Sequence, residues 1–222
     1  MITVHHLNNS RSQRVLWLLE ELELPYEVVR YERDPATMAA PASLRAVHPL
    51  GKSPVVVDDG LTIAESGAIL EYIVGQHGHG RLRPAPGTAE RLRCTYWLHY
   101  AEGSLMPLLL LKLVMDRMGR PPMPFLLRPL ARQIGRGVTG VMVTPRLTQH
   151  LDFLEESLKN APWFAGEEFS VADIQMSFPI EAAASRAGLN GSRPWLMAWL
   201  ERIHARPAYR RALDRGGPYA YA

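Results

Sequence analysis

Residues 48–66 read HPLGKSPVVVDDGLTIAES, and this stretch decides the architecture of the first third of the chain. Pro54 opens a β-rich run, Asp59-Gly60 is a turn sequence, and residues 61–63 form a second β-rich run, which together predict a hairpin. Glu65-Ser66 then precedes an apolar run of helical character over residues 68–74. The stretch therefore predicts strand, turn, strand and helix, in that order.

The residues before this stretch predict a strand, a helix and a second strand. Residues 2–7 are β-rich, residues 8–12 are polar, and the apolar side chains at 15, 18, 19 and 22 have helical spacing. Leu24-Pro25 ends that helix, and residues 26–31 are a second β-rich run, about twenty residues after the first, as a βαβ crossover requires. Residues 34–47 have only weak helical character.

A segment rich in glycine, proline and polar residues, 75–87, separates this part from the rest of the chain. Beyond it strand signals are few, and helical patterns cover residues 89–114, 146–158, 171–187 and 195–204. We therefore expect an α/β domain over residues 1–82 and an all-α domain over residues 88–222.

Composition excludes several classes of protein. A chain of 222 residues with 47% hydrophobic and 21% charged residues can bury a core, so it is expected to be globular. One cysteine, Cys94, excludes a disulfide framework and a CxxC site within one chain, and the eight histidines lack metal-binding spacing, so no metal is predicted. No signal peptide or transmembrane segment is predicted, which favours a cytoplasmic protein.

The charge is unevenly distributed. Residues 1–84 hold 8 Lys and Arg against 10 Asp and Glu, and the remainder holds the other 17 against the other 12. The excess lies between Lys112 and Arg146, where seven basic residues face one acid, Asp116. Such a face can attract nucleic acid, an acidic membrane surface or a small anion. Because no aromatic stacking pattern or nucleic-acid motif accompanies it, no nucleic acid is predicted as a partner.

The polar turn between the first strand and the first helix is a candidate site. A helix N-terminus presents unpaired N–H groups and a partial positive charge, and Asn9, Ser10 and Ser12 add side-chain donors there. A serine that simply caps the helix is the alternative.

Four segments carry a resemblance to the cytosolic glutathione transferases. Residues 8–22 look like the family's catalytic turn and first helix, and residues 48–56 look like its Asn-Pro-x-Gly-x-Val-Pro stretch. Glu65-Ser66 matches its Glu-Ser signature, and Ser170-x-x-Asp173 matches the capping box of its long core helix. The resemblance implies a thioredoxin-like α/β N-terminal domain followed by an all-α C-terminal domain. In thiol-disulfide proteins of the thioredoxin fold the first turn holds a cysteine; its absence here suggests that glutathione supplies the thiol.

The resemblance also implies which residues bind glutathione. Ser53-Pro54 looks like the family's cis-proline, whose preceding residue pairs with the cysteinyl backbone of the ligand. Lys52 would meet the glycyl carboxylate, Glu65 the γ-glutamyl ammonium, and Ser66 with the helix N-terminus the γ-glutamyl carboxylate. An ordinary edge-strand proline, a surface lysine and a simple N-cap are the alternatives.

Three residues are candidates for stabilising the thiolate: Ser10, Asn9 and Ser12. Counting from the N-terminus favours Ser10, counting back from Arg14-Val15 favours Asn9, and Ser12 fits better as a helix cap. No tyrosine or cysteine occurs in the first 25 residues. The tyrosine and cysteine subclasses are thus excluded, and the resemblance is to a serine- or asparagine-type, bacterial or fungal-like transferase.

The resemblance implies an enzyme of detoxification that conjugates glutathione, its co-substrate, to small hydrophobic electrophiles, with peroxidase activity as a further expectation. A non-catalytic binding or stress-regulatory protein is the alternative. A homodimer is implied, and the opposite charges of the two domains suit a contact between them. Met123, Phe125, Leu126 and Leu127 are predicted to cover the electrophile pocket, beside an anion-attracting helical face formed by Arg128, Arg132 and Arg136.

Overall fold

A four-stranded sheet is the centre of the N-terminal half in the computed structural model, which describes residues 1–34, 37 and 39–221. Its strands are β1 (Ile2–Leu7), β2 (Tyr26–Tyr31), β3 (Val55–Asp58) and β4 (Leu61–Ala64), in the order β2-β1-β3-β4. β1 is parallel to β2 and antiparallel to β3, which in turn is antiparallel to β4. Asp59 and Gly60 turn this hairpin with φ of 45° and 88°, because a tight primed turn needs positive φ at both positions.

The described residues of this half also form three helices: α1 (Gln13–Glu21), α2 (Ala42–Val47) and α3 (Ser66–His77). The predicted βαβ unit, the hairpin and the following helix are all confirmed, and the arrangement is thioredoxin-like, as expected. Among the described residues of the weakly helical segment 34–47, only 42–47 form a helix; Pro35, Ala36 and Met38 lie outside the described residues.

The rest of the chain is helical. π-helical turns at residues 101–105 and 139–143 join α4 (Ala89–Tyr100) to α5 (Met106–Arg117) and α6 (Arg128–Val138) to α7 (Thr144–Asn160), so each pair forms one long helix. The helical face predicted for Arg128, Arg132 and Arg136 lies on α6, whereas the helix that begins at Pro207, after Ala205 and Arg206, was not predicted. The elements are α4 (Ala89–Tyr100), α5 (Met106–Arg117), α6 (Arg128–Val138), α7 (Thr144–Asn160), α8 (Val171–Arg186), α9 (Pro194–His204) and α10 (Pro207–Gly216), with a 3₁₀ turn at Phe125–Leu127.

The predicted capping box begins α8, which is the buried central helix of this half. The N–H of Ser170 donates to Asp173 Oδ2 over 3.0 Å, and the Ser170 hydroxyl accepts from the N–H of Ala172 over 3.2 Å. Asp173 also accepts from the Phe164 N–H and the Trp199 indole. Its complete burial raises its pKa to about 6. The box is structural, as predicted, and fixes where the core helix starts.

α1 packs against elements of the N-terminal half and against helices of the other half, so the two halves share one continuous core. Val15, Leu16, Leu18 and Leu19 are fully buried. The Trp17 ring is also fully buried, against the Phe169 and Tyr209 rings of the helical half at centroid distances of 5.5 and 5.1 Å. The division into residues 1–82 and 88–222 stays a prediction.

The long helix Ala89–Arg117 has the length and composition that crossing a bilayer would need, with a mean hydropathy of 1.2 in its most apolar window. In this fold the same helix contributes Cys94, Trp97, Leu98, Leu105 and Leu109 to the buried core. A helix that packs in the core of a folded domain needs many apolar residues, which accounts for the apolar composition of this helix.

Candidate active site

A cavity of about 350 Å³ lies where the β1–α1 turn, the loop before β3, the start of α3 and the long helix 89–117 meet. It brings together all five residues predicted to bind glutathione: Lys52, Ser53, Pro54, Glu65 and Ser66. The rest of its wall was not predicted and consists of Arg11, His48, Leu50, Ala64, Glu102 and Leu110. A larger cavity of about 720 Å³, between α4 and α7, contains none of the predicted residues.

The loop before β3 is fixed to β1 by Ser53. The Ser53–Pro54 peptide bond is cis, as the resemblance implied. The Ser53 hydroxyl donates to the carbonyl of His5 over 2.9 Å and accepts from the N–H of Leu7 over 3.2 Å. These two bonds hold the backbone of Ser53 at the cavity, beside the end of β1.

The start of α3 forms the opposite side of the cavity. Glu65 has φ of +71°, an uncommon value for a residue with a side chain. Ser66 is buried and is the first helical residue, so the N-cap residue of α3 is Glu65. The N-cap considered for Ser66 therefore lies one residue earlier in the chain. The Glu65 side chain is exposed and makes no hydrogen bond among the described residues. The cavity therefore faces both a carboxylate and the positive end of a helix dipole.

Two of the three candidate thiolate stabilisers, Ser10 and Ser12, are buried and bonded to each other. Their hydroxyl oxygens are 2.8 Å apart, and the N–H of Ser12 also donates to Ser10 Oγ over 3.3 Å. The Ser12 hydroxyl contacts His6 Nδ1 at 2.9 Å, and burial lowers the pKa of His6 to about 4. Ser12 occupies the N-cap position of α1, but its side chain makes no capping bond, contrary to prediction.

The third candidate, Asn9, has a different environment. Its backbone is left-handed, with φ of +49°, and its side chain is partly exposed. The Asn9 Oδ1 accepts a 2.7 Å hydrogen bond from the N–H of Ala220, so the C-terminal segment fixes the orientation of the amide. Its NH₂ group makes no hydrogen bond to any residue that the structure describes.

Arg11 and Glu102 contribute the charges that the sequence did not reveal. Arg11 Nε lies 3.0 Å from both oxygens of Glu102, and the buried Arg14 donates to Glu102 Oε1 over 2.6 Å and to the Gln175 carbonyl over 2.7 Å. Burial raises the pKa of Glu102, but the charges of Arg14 and Arg11 outweigh it and hold the pKa below its ordinary value. Glu102 is 91 positions from Arg11, so no local pattern indicates this pair.

The residues predicted to cover the electrophile pocket do not line this cavity. Met123 is partly exposed, and Phe125, Leu126 and Leu127 are exposed in a 3₁₀ turn. Leu110 of α5 and Leu50 are the two large apolar side chains that line it.

Comparison with known proteins gives the family. Sequence models of the glutathione S-transferase N-terminal and C-terminal domains match residues 1–75 and 142–207. Glutathione S-transferase 3 of Schizosaccharomyces pombe is 39% identical over 97% of this chain and 88% of its own length. The chain belongs to the glutathione S-transferase family. Membership makes it an enzyme and glutathione its co-substrate, as the sequence predicted.

Other glutathione S-transferases agree with this assignment. Glutathione S-transferase 1 of Saccharomyces cerevisiae is 34% identical over 97% of this chain and 95% of its own length. The crystal structure of a glutathione S-transferase from Actinobacillus pleuropneumoniae superposes with a TM-score of 0.82, at 31% identity, covering 100% of this chain and 95% of that one. A sphingomonad glutathione S-transferase complexed with glutathione has a TM-score of 0.74 at 25% identity, covering 97% and 98%.

Replacing Glu102 with glutamine should destabilise the transferase in a pH-dependent way. Because the folded-state pKa of Glu102 is depressed, its contribution to the free energy of unfolding is present above its ordinary value of 4.5 and is lost as the pH falls through the folded-state value. At pH 7 we expect a loss of about 3 kcal/mol, since Arg14 stays buried without its partner. Urea unfolding from about pH 7 to about pH 3 measures this difference, which should shrink at the acid end.

The control is Glu71→Gln, which breaks a partly exposed pair with Arg83 and should cost less than about 1 kcal/mol. Equal losses in the two variants, or a loss for Glu102→Gln that does not vary with pH, would contradict the assigned role.

Proposed function

We propose that this transferase binds glutathione in the cavity between Lys52 and Glu65 and transfers its thiolate to small hydrophobic electrophiles. The observation that supports this is the convergence of Lys52, Ser53, cis-Pro54, Glu65 and Ser66 on one 350 Å³ cavity. A tripeptide with two carboxylates and one ammonium needs charges of both signs, and the cavity offers Lys52, Arg11, Glu65 and the N-terminus of α3.

Each binding residue has a role that follows from its position. The main chain of Ser53, at the end of the sheet, pairs with the cysteinyl residue as an added strand would. Lys52 binds the glycyl carboxylate, Glu65 binds the γ-glutamyl ammonium, and the Ser66 hydroxyl with the first N–H groups of α3 binds the γ-glutamyl carboxylate.

Asn9 is the residue we assign to the thiolate. A thiol with a pKa near 8.5 is mostly protonated at neutral pH, and a hydrogen-bond donor aimed at sulfur favours the reactive thiolate. The Asn9 amide is held by Ala220 with its NH₂ available, whereas the hydroxyls of Ser10 and Ser12 are bonded inside the protein. In this proposal the protein is an asparagine-type member, and Ser10 and Ser12 support the turn.

The electrophile would bind beside the sulfur, against Leu110 and Leu50. The thiolate forms a carbon–sulfur bond there and the leaving group departs with the electron pair. Peroxidase activity would use the same thiolate: two glutathione molecules are oxidised to the disulfide while a peroxide is reduced to an alcohol and water.

A second candidate function is reduction of disulfides by glutathione. The Disulfide-bond oxidoreductase YfcG of Escherichia coli is 29% identical over 96% of this chain. A non-catalytic binding or stress-regulatory role is the third. Turnover of an aryl halide, a peroxide and a mixed disulfide, measured beside the affinity for glutathione, separates the three. Binding without any turnover would support the regulatory role.

The proposed assembly is a cytoplasmic homodimer in which the N-terminal half of one subunit contacts the helical half of the other. The charges of the two halves are opposite, about −2 and +5 from residue counts, which favours such a contact made twice around a two-fold axis. Sedimentation equilibrium at micromolar concentration should give twice 24.9 kDa, the mass of one chain. A mass of one chain would contradict the dimer.

Glu65→Ala and Ser66→Ala should each weaken glutathione binding without unfolding the protein. Each removes a charge-assisted hydrogen bond to a partly buried ligand, and such bonds contribute roughly 1.5–3 kcal/mol. Calorimetric titration with glutathione measures the loss, and a thermal unfolding curve verifies the fold. Unchanged affinity in both variants would exclude these residues from the site.

Asn9→Ala should raise the thiol pKa of bound glutathione, because the thiolate loses the hydrogen bond that stabilises it relative to the neutral thiol. We expect an increase of about one pKa unit and roughly tenfold slower conjugation near neutral pH. Ultraviolet absorption of the thiolate against pH measures the shift. Ser10→Ala is the matched control and should leave that pKa near its original value. The reverse pattern would assign the role to Ser10.

A further inference from the structure

Residues 217–221, which we call the C-terminal segment, lie against the β1–α1 turn that contains Asn9. The N–H of Ala220 donates to Asn9 Oδ1 over 2.7 Å, although the two residues are 211 positions apart. A main-chain N–H can bond only to the oxygen of a side-chain amide, so this contact decides which end of the Asn9 amide faces the segment. The NH₂ group is the end that faces away from it.

Two tyrosines of the C-terminal segment anchor it to α8. The Tyr219 hydroxyl donates to Glu181 Oε2 over 2.6 Å, and Arg186 donates to the Tyr221 hydroxyl over 3.2 Å. Ala220 stands between these two tyrosines in the sequence. Its N–H is therefore held in place from both sides.

The segment also borders the wall of the glutathione cavity. The Tyr221 ring packs edge-on against the Phe178 ring, with the ring centroids 5.4 Å apart. The guanidinium of Arg11, which lines the cavity, lies over the same Phe178 ring at 5.4 Å from its centroid. One aromatic ring thus connects the segment to the cavity wall.

The anchor at Tyr219 is needed because Glu181 is a buried carboxylate. Glu181 is 2% exposed, and a carboxylate in such a place requires hydrogen-bond donors. Its Oε1 accepts from the Tyr209 hydroxyl over 2.6 Å and contacts His204 Nε2 at 3.2 Å, whereas Tyr219 is the one partner of Oε2 among the described residues. Burial and the charge of Glu181 raise the pKa of Tyr219 well above its ordinary value, so its hydroxyl stays a donor.

The start of the segment is fixed by a close approach of α10 to α1. Gly216, the last residue of α10, is buried, and a Cβ built on it would lie 2.5 Å from Gln13 Oε1 and 3.0 Å from Leu16 Cδ1. A side chain at this position would have to displace Gln13, so glycine allows α10 to lie directly on α1. Gly217 then ends the helix with φ of +81°. Both ends of the segment are therefore held by contacts within one chain, whether or not a second copy is bound.

We propose that the C-terminal segment is a positioning element of the active site, which through the Ala220 N–H directs the NH₂ group of Asn9 at the sulfur of glutathione. This role rests on the proposed function, in which Asn9 stabilises the thiolate. The amide of asparagine can rotate about its Cβ–Cγ bond, and its two ends are similar in shape. With the NH₂ end toward sulfur it stabilises the thiolate, and with the oxygen end toward sulfur it repels it. Ala220 and its anchor Tyr219 are the positioning residues that select the first orientation.

Ala220→Pro tests this role, because proline has no N–H to donate to Asn9. We expect the thiol pKa of bound glutathione to rise by about half a unit and conjugation near neutral pH to slow about threefold, since the amide would then populate both orientations. The kcat should fall while the KM for glutathione stays within about twofold, because Lys52 and Glu65 are unchanged. Ala220→Ser is the matched control: it keeps the N–H at an exposed position and should leave the thiol pKa at its original value.

Tyr219→Phe loosens the segment by a second route. It keeps the aromatic ring but removes the hydroxyl that bonds Glu181, and the thiol pKa should rise by about 0.3 unit, with conjugation roughly twofold slower. Tyr209→Phe is its matched control, because it removes a hydroxyl from the same carboxylate at the same distance of 2.6 Å, but on α10 rather than in the segment. It should lower the unfolding temperature about as much as Tyr219→Phe and leave the thiol pKa unchanged. Circular dichroism verifies that all four variants are folded.

A double variant establishes that the effect acts through Asn9. In the Asn9→Ala background, Ala220→Pro should cause no further rise of the thiol pKa, because no amide remains to be oriented. An equal rise in the wild-type and Asn9→Ala backgrounds would overturn the positioning role.

Two other results would overturn it as well. One is an unchanged thiol pKa in Ala220→Pro when Asn9→Ala alone raises it, and the other is an equal shift in Tyr219→Phe and Tyr209→Phe. Failure of the proposed function would look different. An unchanged thiol pKa in Asn9→Ala alone would remove the thiolate role of Asn9 and the positioning role with it, whereas wild-type protein that binds glutathione without any turnover would reject the transferase reaction itself.

Discussion

The arrangement of the two halves depends on one buried charge. Arg14 of α1 is almost completely inaccessible to solvent, and a guanidinium in that position must have hydrogen-bond acceptors around it. Glu102, on the long helix, and the carbonyl of Gln175, on α8, supply them. One side chain thus fixes three helices relative to one another. Because Glu102 also binds Arg11, the same interaction sets one wall of the active-site cavity.

The cavity in turn combines two kinds of recognition. The sheet and the cis-proline loop offer main-chain groups, which suit the peptide character of glutathione, while Lys52, Glu65 and the start of α3 offer charge at two sides. The helical half provides Glu102 and the apolar Leu110 to the cavity. In the proposed function each half therefore has its own task, the N-terminal half for glutathione and the helical half for the electrophile.

Much of this could be predicted from local sequence. The hairpin at Asp59-Gly60 and the capping box of Ser170 and Asp173 each need a few neighbouring residues, and both were found where the sequence indicated. The cis-proline after Ser53 was found as the resemblance to the family implied. The directions of the side chains could not be predicted in the same way. Ser10 and Ser12 sit in the right turn, but the rotation of α1 on its partners turns their hydroxyls inward. Glu102 and Leu110 reach the site from a distant helix, and nothing in their own neighbourhood signals it.

Trp17 carries a consequence for how such a protein can evolve. Its ring belongs to α1 of the thioredoxin-like half, yet the rings that it contacts, Phe169 and Tyr209, belong to the other half. Recombination within residues 78–88 would join an N-terminal half to a foreign helical half whose surface has not been selected to receive that ring or the Arg14 charge. Productive exchange is therefore restricted to parents that already share both features. We therefore expect the two halves to diverge as a pair, with family trees that branch in the same order.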